Sequence, residues 1–341
     1  MLDIHQEILL FETLGAAALN VSTWDVENTI EHTLTIKPRT LRQKIARKKP
    51  IDLTFAGIIH GNETGGLAVC NRLLAALLED PEELSIGIGF ILGNPSASRA
   101  NIRFIARDLN RSFERTQNTS EEDKRARQLE VILKDSRFLL DFHQTREPSA
   151  FPFFISPYTP ESFGFAGAIN AEIPMITHWG KPFSGEGRCS DEFVNRSGGV
   201  GLTLELGRNG FDLRQILTGV AAGLKAIKVI SNLDPASFIC KPASTKLSPR
   251  KIYTWAQAVS CPDPESYMKP GFQNFSPVKK GDYLGTIYDR SNDAKNEIYS
   301  AQDGFVLFPK YIDPDRNNQH ATAAMEFCRI VKEISEDDLG R

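Results

Sequence analysis

Two hydrophobic patterns alternate along the first two thirds of the chain: short unbroken apolar runs, and longer segments with an apolar residue every three to four positions. The runs read as buried strands and the periodic segments as amphipathic helices, which together predict an α/β protein. Ile4–Leu19 reads as a helix and Leu34–Ile36 as a short strand. Leu53–Ile59 is an apolar run broken only by Thr54, followed at once by a helical stripe through Leu67, Leu73, Leu74 and Leu77 over 64–79. Another strand is expected at 84–92. Ser120-Glu-Glu-Asp123 is a capping-box pattern that opens a helix to about Lys134, and a strand follows over Phe138–Leu140. Ser162–Ala171 reads as a helix, Met175–Trp179 and Gly199–Gly207 as strands, and Asp212–Asn232 as an amphipathic helix that closes this part. From about residue 240 the pattern changes to strands. Lys251–Val259 alternates, and turn-rich Ser276–Asp282 and Tyr299–Gly304 precede the apolar segments Tyr283–Ile287 and Phe305–Phe308. The expected organisation is a mixed central sheet flanked by helices over 1–238 and a smaller all-β domain over 239–341.

The first apolar run ends in His60-Gly-Asn-Glu63, at a strand's carboxyl end, where ligands bind in open α/β sheets. An imidazole and a carboxylate three residues apart can reach one zinc ion, which takes nitrogen and oxygen donors at about 2.0–2.2 Å. Gly61 and Gly65 are expected to let the backbone turn tightly there. His143 also lies at a strand end and offers a third ligand; three protein ligands leave zinc an open position for water. Asp141 can accept the spare N–H of His143 or of a neighbouring ligand. Glu205 stands alone among apolar residues in GVGLTLELG. Such a strand either turns its acid to water from a sheet edge or buries it, and burial raises a carboxyl pKa toward the range useful for proton transfer. Arg99, Arg103, Arg107 and Arg111 recur every four residues. They form either a solvated basic stripe on a helix or, in part, a carboxylate-binding set, since guanidinium matches carboxylate bidentately.

The order HGNE, Asp108-Leu-Asn-Arg111, Asp141–His143 and LELG resembles the succinylglutamate desuccinylase/aspartoacylase family, in the zinc carboxypeptidase clan. The resemblance covers roughly residues 50–235 and implies a zinc carboxypeptidase-like fold and hydrolysis of N-acyl amino acids. It implies one zinc ion held by His60, Glu63 and His143, with Glu205 as the catalytic acid–base. It also implies that Arg103, Asn110 and Arg111 contact the substrate and that Asp108 buttresses the loop or the site. Desuccinylases carry an Arg shortly after the second His; Arg146 stands near that position at a different spacing. A basic residue between 180 and 199 can reach substrate in relatives, and Arg188 and Arg196 are both candidates. The long polar stretch there reads as a loop over the site. The C-terminal turns resemble those of a biotinyl/lipoyl-type β-sandwich, although Met268-Lys269 lacks a biotin acceptor's context. A peptide-cleaving carboxypeptidase could use the same zinc site, and a non-catalytic relative could keep the fold. Metal content and cleft shape separate these.

Composition narrows the partners. With 341 residues, 41% hydrophobic and 24% charged, the chain has ample material for a core. Its net charge of −3 gives no global pull toward nucleic acid or membrane. The basic stretch Lys37–Lys49 has no interleaved aromatics and reads as a solvated face. No apolar run approaches the ~20 residues of a membrane span, and the N-terminus lacks a signal peptide's basic region. Five scattered cysteines without a C-x-x-C suggest a reduced, cytoplasmic setting. His178 reads as a packed or surface histidine. The expected partner is a small N-acyl amino acid, and the sequence is compatible with a homo-oligomer.

Overall fold

The computed structural model describes residues 3–40, 49–177, 187–240, 250–261, 266–289, 293–311 and 325–338. Helix α1 (Ile4–Leu19) is followed by strands β1 (Trp24–Glu27), β2 (Thr33–Pro38) and β3 (Ile51–Gly57). Then come α2 (Gly65–Glu79), β4 (Ile88–Leu92), α3 (Pro95–Arg99) and α4 (Glu121–Asp135). The next elements are β5 (Ser136–Thr145), β6 (Phe153–Ser156), α5 (Pro160–Ile169), β7 (Met175–Thr177), α6 (Ser190–Arg196), β8 (Val200–Arg208) and α7 (Leu213–Ser231). The C-terminal part is β: β9 (Ile252–Cys261), β10 (Tyr267–Met268), β11 (Pro277–Val278), β12 (Tyr283–Asp289), β13 (Ala294–Tyr299), β14 (Gly304–Leu307) and β15 (Met325–Ile334).

Twelve strands form one mixed sheet in the order β1-β2-β4-β3-β5-β8-β6-β7-β9-β15-β14-β11, while β10, β12 and β13 form a second sheet. At the centre β4, β3, β5 and β8 run parallel. Every residue of β3, β4 and β5 is buried, as expected of parallel strands covered by helices on both faces. Phe55, Phe138, Leu140 and Phe142 pack with Phe11 of α1, Leu67 and Leu73 of α2, and Ile216 of α7. On the opposite face Ala56 and Leu139 pack with Leu129 and Leu133 of α4 and Phe193 and Val194 of α6. Side chains alternate along a strand, so Asp141 and His143 share the face of Leu139, toward α6. A third group joins Phe153 and Ile176 to Tyr253, Phe275 and Leu307, carrying the core without a break into the C-terminal strands.

The predicted helices form with their caps: Asp3 accepts from Gln6 N–H at α1, the Ser120/Asp123 box closes α4, and Asp212 accepts from Gln215 N–H at α7. Two expectations change. Arg99, Arg103, Arg107 and Arg111 do not share a helix face, because α3 ends at Arg99 and the chain then runs in turns to a short 3-10 segment at Leu109–Arg111. The stretch 180–199 is not all loop, since α6 occupies its second half; residues 178–186, His178 among them, lie outside the described residues. Of the basic stretch, Lys37 pairs with Glu27 at 3.3 Å and Arg39 with Asp25 at 3.3 Å, while 41–48 lie outside the described residues. No helix among the described residues is long and apolar enough to cross a membrane.

Candidate metal and catalytic site

From β3 the chain crosses to β4 on one side of the sheet; from β5 it passes to β6 and β8 on the other. The loops leaving the carboxyl ends of β3 and β5 therefore diverge, and a crevice opens between them. His60 and Glu63 lie on the turn after β3, His143 near the end of β5, and Glu205 on β8 in register with His143. The turn after β3 departs from regular structure at Ile58, whose φ is +47°. A β-branched residue there is strained, a condition that persists only where the surroundings enforce it. Gly61 and Gly65 serve close approach rather than a special backbone angle. A Cβ on Gly61 would lie 2.4 Å from the backbone carbon of Ala97, and one on Gly65 would lie 2.7 Å from the Gln144 amide.

Three buried side chains converge, those of His60, Glu63 and His143. His60 Nδ1 lies 2.7 Å from Glu63 Oε1, and His143 Nδ1 lies 2.8 Å from Glu63 Oε2. Gln144 N–H donates to the same Oε2 at 3.0 Å. The outer nitrogen of each ring meets another carboxylate: His60 Nε2 lies 3.1 Å from Asp108 Oδ1, and His143 Nε2 lies 3.0 Å from Asp141 Oδ2. One ligand atom from each of His60, Glu63 and His143 falls within 4.8 Å of the others. Both rings thus aim Nδ1 at one place while Nε2 is fixed from behind, the arrangement that orients metal-bound imidazole. The two-nitrogen, one-carboxylate donor set suits a catalytic zinc with an open position.

The charges are strongly coupled. Burial opposes ionisation of Glu63, but the flanking His60 and His143 outweigh it and hold the carboxyl well below the usual carboxylate range. Burial likewise opposes protonation of His143, yet Asp141 and Glu63 raise it well above the ordinary imidazole value. Asp108 is held low by Arg103 and His60 against the cost of its burial. Glu205 is buried, not turned to water. Burial, with the negative charge of Glu63, pushes its carboxyl up to about 8, and its Oε2 meets no hydrogen-bond donor among the described residues.

The arginines are spread around this centre. Arg103 reaches it directly, donating to Glu63 Oε1 at 3.1 Å and Asp108 Oδ2 at 3.1 Å, with Nη2 at 2.7 Å from His60 Nε2. Asp108 both buttresses its loop, accepting from Asn110 N–H at 2.9 Å, and holds the His60 ring. Asn110 Oδ1 accepts from Ser190 N–H at 2.9 Å, and Arg111 Nη1 donates to Asn110 O at 2.6 Å and meets Cys189 Sγ at 3.1 Å. Arg146 Nη2 donates to Tyr311 O at 2.6 Å, tying the segment after β5 to the C-terminal part. Arg188 and Arg196 both pair with Glu114, at 3.5 and 2.8 Å. Two contributors escaped the sequence reading. Gln144 Oε1 accepts from Gly65 N–H at 2.8 Å, so one residue braces both Glu63 and the start of α2. Glu122 Oε1 accepts from Ile105 N–H at 2.7 Å, and its Oε2 accepts from Arg107 N–H at 3.2 Å, bracing the loop that carries Arg103. An acid two residues after a helix cap, downstream of an Arg-rich loop, is the hint the sequence offers for the latter.

Known proteins resemble this chain in sequence and in fold. The profile of the succinylglutamate desuccinylase/aspartoacylase catalytic domain matches residues 51–229, just over half of the chain. A succinylglutamate desuccinylase of Vibrio vulnificus (strain YJ016) is 26% identical over 297 residues, covering 82% of this chain and 81% of that protein. One from Serratia proteamaculans is 31% identical over 167 residues, 44% of this chain; the match spans about half, 49%, of that relative. Among solved structures, a succinylglutamate desuccinylase from Vibrio parahaemolyticus has a TM-score of 0.68 at 17% identity, covering 94% of this chain and 95% of that one. Murine aminoacylase 3 has a TM-score of 0.59 at 17% identity, covering 85% and 97%. Those two likenesses speak for the fold, and the matched catalytic-domain profile for descent: this chain belongs to the succinylglutamate desuccinylase/aspartoacylase family.

Proposed function

We propose that the chain is a zinc-dependent amidohydrolase that removes a small acyl group, succinyl or acetyl, from an N-acyl amino acid. The observation that carries this reading is the aim of His60 Nδ1 and His143 Nδ1 at the two oxygens of Glu63, with the buried Glu205 carboxyl level with His143 on the next strand. His60, Glu63 and His143 would hold one zinc ion, which would supply Lewis acidity toward an amide carbonyl and lower the pKa of a water toward neutrality. Glu205 takes the proton from the attacking water and returns it to the nitrogen of the leaving amine. Burial raises the Glu205 carboxyl above the usual carboxylate range, toward the range in which one group can accept and return a proton. Arg103 faces the carbonyl oxygen and stabilises the charge that develops there. Arg111 and Arg146 hold substrate carboxylates and fix the pose. Asn110 joins them through Nδ2, the end it turns away from Ser190. Asp108 and Asp141 hold the rings of His60 and His143. In this reading residues 1–238 carry the chemistry, and the β-rich 239–341 part shapes the cleft through its hold on Arg146.

The test is release of free amine by zinc-quantified protein from a panel of N-succinyl and N-acetyl amino acids and short peptides. Turnover of an N-acyl amino acid is expected, and Glu205→Gln is expected to lower it by about 10²–10⁴-fold with zinc still bound at one per chain. Cleavage of peptides alone would replace this reading with a carboxypeptidase. Loss of zinc in Glu205→Gln would remove Glu205 from the role given to it.

A further inference from the structure

The start of helix α6 carries no apparent chemistry in its sequence, yet it and the residue before it reach three parts of the site. Ser190 Oγ donates to Asp141 Oδ2, the oxygen that also lies 3.0 Å from His143 Nε2. Ser190 N–H donates to Asn110 Oδ1 at 2.9 Å. Just before it, Cys189 Sγ lies 3.1 Å from Arg111 Nη1. Resting on the functional reading above, we propose that Ser190 is a positioning residue joining the two halves of the site. Its hydroxyl fixes Asp141 and, through it, the aim of His143. Its backbone N–H turns the Asn110 amide so that the nitrogen end faces the substrate side.

The environment of Asp141 gives the hydroxyl its importance. Ser190 and Asp141 are both 0% exposed, and Asp141 Oδ1 meets no donor among the described residues. The carboxylate is therefore sustained on one oxygen by two groups, the Ser190 hydroxyl and the His143 ring. A buried carboxylate that loses a donor bears the full desolvation cost of the missing bond. It then turns or draws on the imidazole, and in either case the ring that should present Nδ1 to the metal is less firmly set. A plain helix cap does not explain the hydroxyl. The cap position of α6 is Cys189, whose N–H is met by Glu192 Oε2 at 3.3 Å, while the Ser190 hydroxyl points across to β5. The two functions of Ser190 are also separable, because its side chain serves the metal half and its backbone the substrate half.

The experiment is a zinc-affinity measurement by competition with a chromogenic chelator on the full chain. It compares wild type, Ser190→Ala, Asp141→Asn and the double variant, with the melting temperature of each metal-free form as the check on folding. Ser190→Ala is expected to weaken zinc binding about tenfold, the lower end of the usual range for residues behind a metal ligand. Its metal-free melting should stay near that of wild type, and KM should stay unchanged because the N–H that sets Asn110 remains. In the Asp141→Asn background the same change should add less than about twofold, as expected for two residues acting in series. An unchanged zinc affinity in Ser190→Ala, or equal losses in both backgrounds, overturns the role of Ser190 and leaves the hydrolase reading intact. A wild type that takes up no zinc overturns both.

Discussion

At the scale of single residues, the site is a concentration of buried acids. Glu63, Asp141, Asp191 and Glu205 are all at most 7% exposed, and Glu63 alone meets His60, His143 and Arg103. A divalent cation balances such a cluster. Asp191, beside Ser190, shows the strain most simply. Burial, with Glu192 and Asp141 adding like charge, pushes its carboxyl up to about 7 from 3.8. A carboxyl raised in the folded chain binds its proton more tightly there than in the unfolded chain. Its contribution is therefore favourable at low pH and is lost as pH rises from about 4 through about 7. Asp191→Asn should melt close to wild type at pH 4 and clearly above it at pH 8, by a few kcal/mol in stability. Thermal melts across that range check this; a difference that does not grow with pH would contradict it.

Among elements, the seat of α2 on the sheet sets the turn that carries His60 and Glu63. A Cβ on Gly66 would stand 2.8 Å from Phe142 O and 3.2 Å from Gly57 Cα, so the helix start rests directly on the backbones of β3 and β5. Gly66→Ala should cost about 1–3 kcal/mol and weaken zinc binding, since α2 must lift and carry Glu63 with it. Gly15 in α1 gives the opposite case. The nearest atom to its Cβ is Leu34 Cδ1 at 3.9 Å, so Gly15→Ala should stabilise by about 0.5–1 kcal/mol. Denaturant midpoints of the two variants measure both signs together. These elements were legible because the chain writes them locally: Leu53–Ile59 is too apolar for anything but a buried strand, and a stripe of leucines follows it. That His60, Glu63 and His143 come together could be expected because metal chemistry restricts residue types at strand ends, and the fold brings one donor atom of each within 4.8 Å of the others. Gln144, Glu122 and Ser190 could not, since their partners lie 79, 17 and 49 residues away and only the folded chain brings them together. Arginines spaced every four residues suggested a helix, but Asn94-Pro95 opens only the short α3, and Glu122 then holds the following loop by its N–H groups.

For the whole molecule, the main sheet runs without interruption from β1 to β11, and the change of pattern near residue 240 gave no hint of this. The join is made by β7 pairing with β9, Met175 beside Ile252, and by Phe153 stacking edge-on with Phe275 at 5.1 Å. Pairing across so many residues leaves no local signal. A chain cut at residue 238 should expose the β7 edge and the Phe153 surface, and it should aggregate where the full chain stays dispersed, as light scattering would show. Asn274 also clamps the loop after β5, donating to Glu147 O at 3.0 Å and accepting from Phe308 N–H at 2.7 Å, so the C-terminal part helps shape the crevice from a distance. As proposed, the whole arrangement would present one zinc to water at the carboxyl ends of β3 and β5. A crystal structure of zinc-loaded Glu205→Gln tests it most directly. One anomalous zinc peak is expected, bound by His60 Nδ1, His143 Nδ1 and Glu63, with the ring Nε2 atoms still on Asp108 and Asp141. A zinc bound elsewhere, or rings turned to offer Nε2 instead, would contradict it.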